Sequence, residues 1–86
     1  MKTNSYVIYD NQAKKYNSPM LLANDAVAIR TIRNELINPN SQIALSPSDY
    51  SLYQNGEYDD ETGLTVHDSD EVRKVIEVSE IELPEK

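Results

Sequence analysis

One stretch of this chain reads clearly as a helix, and it is short: residues 24–39, NDAVAIRTIRNELINP. Asn24 or Asp25 suits its start, because a short side-chain oxygen accepts one of the N–H groups that a first turn leaves unpaired. Ile29, Ile32 and Leu36, flanked by Ala and Val, recur at helical spacing and form an apolar stripe. Pro39 ends the run, since the residue before a proline avoids helical geometry. A lone helix with one apolar stripe must bury it against a sheet. The expected fold is therefore α+β: a small antiparallel sheet of three to five strands with one α-helix packed on one face.

The flanking segments have strand chemistry. Ser5–Asp10, SYVIYD, is rich in β-branched and aromatic residues. NQAKK is a polar turn, and YNSPMLL returns with Pro19, which suits an edge position or a loop because proline cannot donate to a ladder. Residues 5–22 thus read as a hairpin. SQIALSPSDYS is a connector in which Ile43 and Leu45 are expected as buried anchors and SPSD as a turn or a single helical turn, with Pro47 at its favoured second position. DYSLYQNGEYDDETG, Asp49–Gly63, carries two competing turn signals. Asn55-Gly56 is a strong hairpin dipeptide, but it would leave two stubs. A turn at Asp60–Gly63 instead pairs a strand of about Ser51–Asp59 with GLTVHD and makes Gly56 an in-strand bulge. EVRKVIEV fits a strand face of Val72, Ile76 and Val78, with Lys74 as the exception, or a helix capped by Asp70; its β-branched content favours the strand. Residues 1–86 form a single domain, with a flexible acidic tail from about residue 79.

The core must be built from unusual material. Among the 86 residues there is no Phe, Trp or Cys, so six tyrosines are the only aromatics. Each brings a hydroxyl that needs water or a partner. A chain this short buries roughly 60–65% of its unfolded surface, no disulfide can staple it, and completion of the core by a homo-oligomer interface is a natural expectation. No segment is apolar and long enough to span a bilayer, and the start, MKTNSYVIYD, lacks the apolar run of a signal peptide.

Charge is divided. Residues 1–38 hold five cations against three acids, a net of +2, and residues 39–86 hold three against twelve, a net of −9, which gives the overall −7. Such a chain cannot hold nucleic acid by bulk attraction and needs a local patch. The oxygen-rich stretches DDETG and HDSDE lack the spacing of a calcium loop. His67 is the only histidine, too few for a His-based zinc site or a triad. Two glycines cannot make a phosphate loop, and carboxylates spread through the second half do not define an acid–base pair without a desolvated pocket. Neither enzymatic activity, nor a cofactor, nor a metal is expected. Nucleic acid offers the sharper possibility: Tyr6, Tyr9 and Tyr16 lie near Lys14 and Lys15 in the first hairpin, where rings can stack on unpaired bases and lysines can hold phosphates. Arg30 and Arg33 would extend that patch from the helix. The candidate set is Lys14, Lys15, Tyr16, Arg30 and Arg33. The competing account is that the tyrosines build the core and the lysines keep a turn soluble.

Several phrases together resemble one family. Ala28–Arg30 in a helix opened by Asn-Asp, followed by PSDYSLYQNGEYDDETG (Pro47–Gly63), is similar to the small non-structural protein encoded by the fifth open reading frame of gokushoviruses, single-stranded DNA phages of the microvirus group (Microviridae). Pro47, Asp49, Tyr50, Leu52, Tyr53, Gly56, Tyr58, Asp59, Thr62 and Gly63 carry the resemblance. Asn55 stands where the family usually has an apolar residue, and Tyr58 where Phe is common. The resemblance implies a non-structural protein in the cytoplasm of an infected bacterium. It would bind DNA and assist viral single-stranded DNA synthesis or packaging, without catalysis. The alternative is an acidic adaptor that binds a phage or host replication protein through the second half of the chain.

Overall fold

The computed structural model describes residues 1–67 and 71–83. Two long strands form its spine. β1 (Lys2–Asp10) and β4 (Tyr50–Asp59) pair antiparallel over their whole length, from Lys2 opposite Asp59 to Asp10 opposite Tyr50. On the outer side of β1 lie β2 (Lys15–Tyr16) and β3 (Met20–Leu22), and on the outer side of β4 lie β5 (Leu64–Val66) and β6 (Arg73–Glu77). The sheet thus has six strands, not three to five, all antiparallel. The excess has a simple cause. The return strand expected in the first hairpin is split into β2 and β3 around Pro19, whose missing N–H interrupts the ladder, whereas β5 and β6 are the separate strands expected at GLTVHD and EVRKVIEV.

The helix α1 (Asp25–Leu36) lies over one face. Asn24 is its cap, accepting from the Val27 N–H at 2.9 Å, which frees the Asp25 carboxylate for other partners. Ala28 and Ile32 are buried against Tyr6, Ile8, Tyr50 and Leu52, and Ile29 and Leu36 pack at the margin. The helix ends at Leu36, with Ile37 as its C-cap, before Pro39. A single helical turn, α2 (Gln42–Leu45), and a 3-10 turn at Pro47–Asp49 lead into β4. Ile43 packs on the core as expected, but Leu45 does not; it is 73% exposed. Within one helical turn, residues two apart point in nearly opposite directions, so only one of the pair can face inward.

Of the two competing turns, the chain uses the second. Gly63 N–H donates to the Asp59 carbonyl at 2.8 Å, and the Asp59 carboxylate accepts from Glu61 N–H at 2.9 Å, so Asp59 rather than Asp60 anchors it. Asn55-Gly56 is a bulge: Gly56 pairs with Ser5 and Gln54 with Tyr6, and Asn55 has no partner across the ladder. Gly56 has φ +139°, and a Cβ there would sit 2.5 Å from the Val66 carbonyl oxygen. A second register shift, between Lys74 and Ile76 in β6, accounts for Lys74 breaking the alternation of that segment. The chain stays packed past residue 79, because Val78 and Ile81 are both in the core. Asp68, Ser69 and Asp70 of the oxygen-rich stretch lie outside the described residues, as does the end of the acidic tail. No helix of the described residues is long and apolar enough to cross a membrane.

Candidate nucleic-acid interface

Strand parity sorts the tyrosines. Successive side chains of a strand point to opposite faces, so Tyr6 and Ile8 of β1 meet the helix while Ser5, Val7 and Tyr9 face away. Tyr9 pairs with Tyr16 on β2, and Val7 pairs with Tyr53 on β4. Three rings therefore gather on the face that carries no helix. The Tyr9 and Tyr16 centroids are 4.8 Å apart at 55°, and Tyr16 meets Tyr53 edge-on at 5.8 Å and 78°. The rings shield the floor of this face, where Ser5, Val7 and Ser51 are buried. Tyr16 is 49% exposed, and Tyr9 and Tyr53 are half-buried. This is an aromatic ledge with one open ring at its edge.

The cations around the ledge are few. Lys14 closes the β1–β2 turn next to Tyr16, held at φ 57° by its N–H bond to the Asp10 carbonyl at 2.7 Å. The Asp10 carboxylate also accepts from the Gln12 and Ala13 N–H groups, at 2.9 and 3.2 Å. Lys15 pairs with Asp10 and falls on the helix side of the sheet. Lys74 lies beside Tyr53 in the ladder, but its ammonium is bound by Glu77. That bond pushes the Lys74 amine up, and with Ser51, whose hydroxyl donates to Glu77 at 2.6 Å, it holds the Glu77 carboxyl down.

The five residues singled out in the sequence do not form one surface. Lys14 and Tyr16 adjoin. Arg30 projects from α1 away from the sheet, and Arg33 lies on the helix flank, because the positions facing the sheet are Ala28 and Ile32. Both arginines are thus across the sheet from the Tyr16 ring. Tyr6 is excluded as a stacking group: it is fully buried. Tyr53 was not among the candidates, since its place beside Tyr16 depends on strand order. Tyr6 and Tyr9, by contrast, are three residues apart, so strand parity alone separates them.

Tyr6 instead anchors a polar cluster at the start of α1. Its hydroxyl donates to Asp25 at 2.7 Å. Arg73 Nη2 donates to both Asp25 oxygens, at 2.8 and 3.1 Å, and to Gln54 Oε1 at 2.7 Å. Gln54 donates in turn to Asn4 at 3.1 Å, and Asn4 to the Ala23 carbonyl at 3.2 Å. The cluster ties β1, β4 and β6 to the helix N-terminus. Burial, then the hydrogen bond to Asp25, pushes the Tyr6 phenol up to about 12. Arg73, then Tyr6, holds the Asp25 carboxyl below its ordinary value. These groups are matched to one another and serve cohesion.

Two shallow clefts lie among the described residues. One, of about 210 Å³, is lined by Gln54, Gly56, Glu57, Val66, His67 and Arg73. The other, of about 340 Å³, lies between α2 and the β1–β2 turn, with Asp10, Asp49 and Tyr50 among its walls. Burial and those two carboxylates push the Tyr50 phenol up. Among the described residues no three His, Asp or Glu side chains gather where they could hold a metal ion.

The chain matches the family described as Phage ORF5 protein over residues 3–81, nearly its whole length. No curated protein and no solved structure matches it.

Proposed function

We propose, because this chain belongs to the phage ORF5 protein family, that it is a non-structural protein of the gokushovirus type which assists viral single-stranded DNA synthesis or packaging in the cytoplasm of the infected bacterium. It acts by binding, not catalysis. The observation that supports this reading is the contact of Tyr16 with Tyr9 and Tyr53 on the helix-free face, with Lys14 two residues before Tyr16 in the turn. Unpaired bases stack on such rings regardless of sequence.

The charge balance sets the character of the binding. Among the described residues, Lys14 in the adjoining turn is the cation nearest in sequence to Tyr16 on that side of the sheet, Lys74 being held by Glu77, and the chain carries −7 overall. About one or two phosphate contacts correspond to a salt slope of roughly −0.7 to −1.4. Two stacked bases at about 1–3 kcal/mol each place the dissociation constant in the tens of micromolar or weaker for one ledge. The proposed interaction is thus stacking-led, only mildly salt-dependent, and tolerant of sequence.

Anisotropy of a labelled oligothymidine, titrated at low and moderate salt, tests it. Tyr16→Ala should weaken binding about tenfold, the equivalent of ~1.4 kcal/mol. Tyr53→Ala should act likewise, and a paired Arg30→Gln/Arg33→Gln variant should bind as wild type. Absence of binding at low salt, or a loss confined to the arginine variant, would refute the reading.

A further inference from the structure

On the opposite edge of the sheet from Tyr16, β5 leaves apolar residues uncovered. Leu64 and Val66 are 62% and 61% exposed. They lie on one face of the strand, opposite Asp59 and Glu57 of β4 respectively. α1 does not reach this end of the sheet; its start is held further along by Asp25, Tyr6 and Arg73. The result is a small patch in which two apolar side chains of β5 lie beside two carboxylates of β4, continued by Asp60 and Glu61 in the turn. The Met1 amine meets Asp60 at 2.7 Å and Glu61 at 3.9 Å, and Lys2 pairs opposite Asp59; the four carboxylates still outnumber these two cations.

We infer that β5 is a docking edge for an extended basic segment of a partner protein, one that carries two apolar residues on one strand face with lysine or arginine flanking them on that same face. β5 ends the hydrogen-bonded path of the sheet. An edge strand offers backbone groups to an added strand, and alternate side chains supply the specificity. The partner's apolar residues cover Leu64 and Val66. Its flanking cations enter the field of Glu57 and Asp59, which share that face one strand away, and of Asp60 and Glu61 in the turn, over a range of about one Debye length, ~8–10 Å. The charge of the rim selects a basic segment over a neutral or acidic one. It also disfavours a second copy of this edge, since two such rims repel. This surface is distinct from the tyrosine ledge, so a protein partner and single-stranded DNA can be held together.

The probe is a short synthetic peptide, KTVTVTK, whose lysines and valines share one strand face, with ETVTVTE as control. Titration of the full chain by anisotropy should show binding of the basic peptide alone, weakening several-fold as salt is raised. Leu64→Lys/Val66→Lys changes exposed side chains only and should leave the unfolding transition in place while weakening binding at least tenfold. Glu57→Gln/Glu61→Gln should weaken it with β5 intact. Equal binding of both peptides, or retention of affinity in the Leu64/Val66 variant, overturns the proposal. So does concentration-dependent self-association abolished by the same substitutions without peptide binding, which would make the edge an interface between copies.

Discussion

Replacing Gly56 by alanine should disrupt this fold far more than replacing Gly63, although both lie at positive φ. At Gly63, φ +75° with nothing within 4 Å of the missing Cβ, alanine meets only the backbone penalty of the left-handed region, about 1 kcal/mol. At Gly56 the same methyl would stand 2.5 Å from the Val66 carbonyl oxygen and 3.0 Å from its carbon. Both atoms are backbone in the paired strand, so relief requires β5 to move away from β4. To the strain of a non-glycine residue at φ +139°, about 1–3 kcal/mol, is added the loss of part of the β4–β5 ladder, about 1 kcal/mol per hydrogen bond. A destabilisation of about 2–4 kcal/mol is expected. A domain this small has a margin on the order of 5 kcal/mol, and each kcal/mol corresponds to about 4–8 °C in Tm. Gly56→Ala should therefore lower Tm by roughly 10–25 °C, and Gly63→Ala by less than about 8 °C. Thermal and urea unfolding followed by circular dichroism measure both. Equal, small shifts for the two variants would show that the close approach to Val66 does not constrain the chain.

Other expectations concern single side chains. Lys14→Gly should stabilise the protein by about 1 kcal/mol, because Lys14 holds φ 57° without need of its side chain; a lower Tm would contradict this. Ile32→Ala should cost about 2–5 kcal/mol, much of the margin of a domain this small, whereas Leu45→Ser should stay within about 0.5 kcal/mol, as urea midpoints would show. The Tyr6 phenol is raised from 10.0 to about 12 by burial and by Asp25. Folding thus favours its neutral form, and the contribution is complete below pH 10 and lost as pH rises through 12, on the order of 3 kcal/mol. Tyr6→Phe should flatten that alkaline limb; an unchanged limb would assign it elsewhere. Asp25 is shifted the other way, from 3.8 downward, by Arg73 and Tyr6. Its contribution is present above that value and lost as pH falls through the lower folded one, so Asp25→Asn should blunt the acid transition in a pH titration of stability.

Local chemistry made much of this fold legible. The helix was bounded by Asn24 or Asp25 and by Pro39, the turn was placed at Asp60–Gly63 over the rival Asn55-Gly56, and the bulge at Gly56 followed from rejecting that rival. Each rests on residues adjacent in sequence. What escaped depends on long-range pairing. The sheet has one strand more than expected because the return strand of the first hairpin breaks around Pro19, and Leu45 faces outward because α2 is only one turn. The candidate site shows the same divide. Tyr16 and Lys14 adjoin through a short hairpin, but Tyr53 reaches them only because β4 lies beside β1 with Val7 opposite Tyr53. Arg30 and Arg33 have suitable chemistry, yet the stripe of Ala28 and Ile32 turns them away from the ledge.

The ledge itself is tested most directly by recording backbone amide shifts while single-stranded oligothymidine is titrated into isotopically labelled protein. Binding at the tyrosine face should move the amides of Val7, Tyr9, Lys14, Tyr16, Ser51 and Tyr53 together and leave those of Arg30 and Arg33 in place. Shifts centred on the helix, or none at millimolar DNA, would contradict the account.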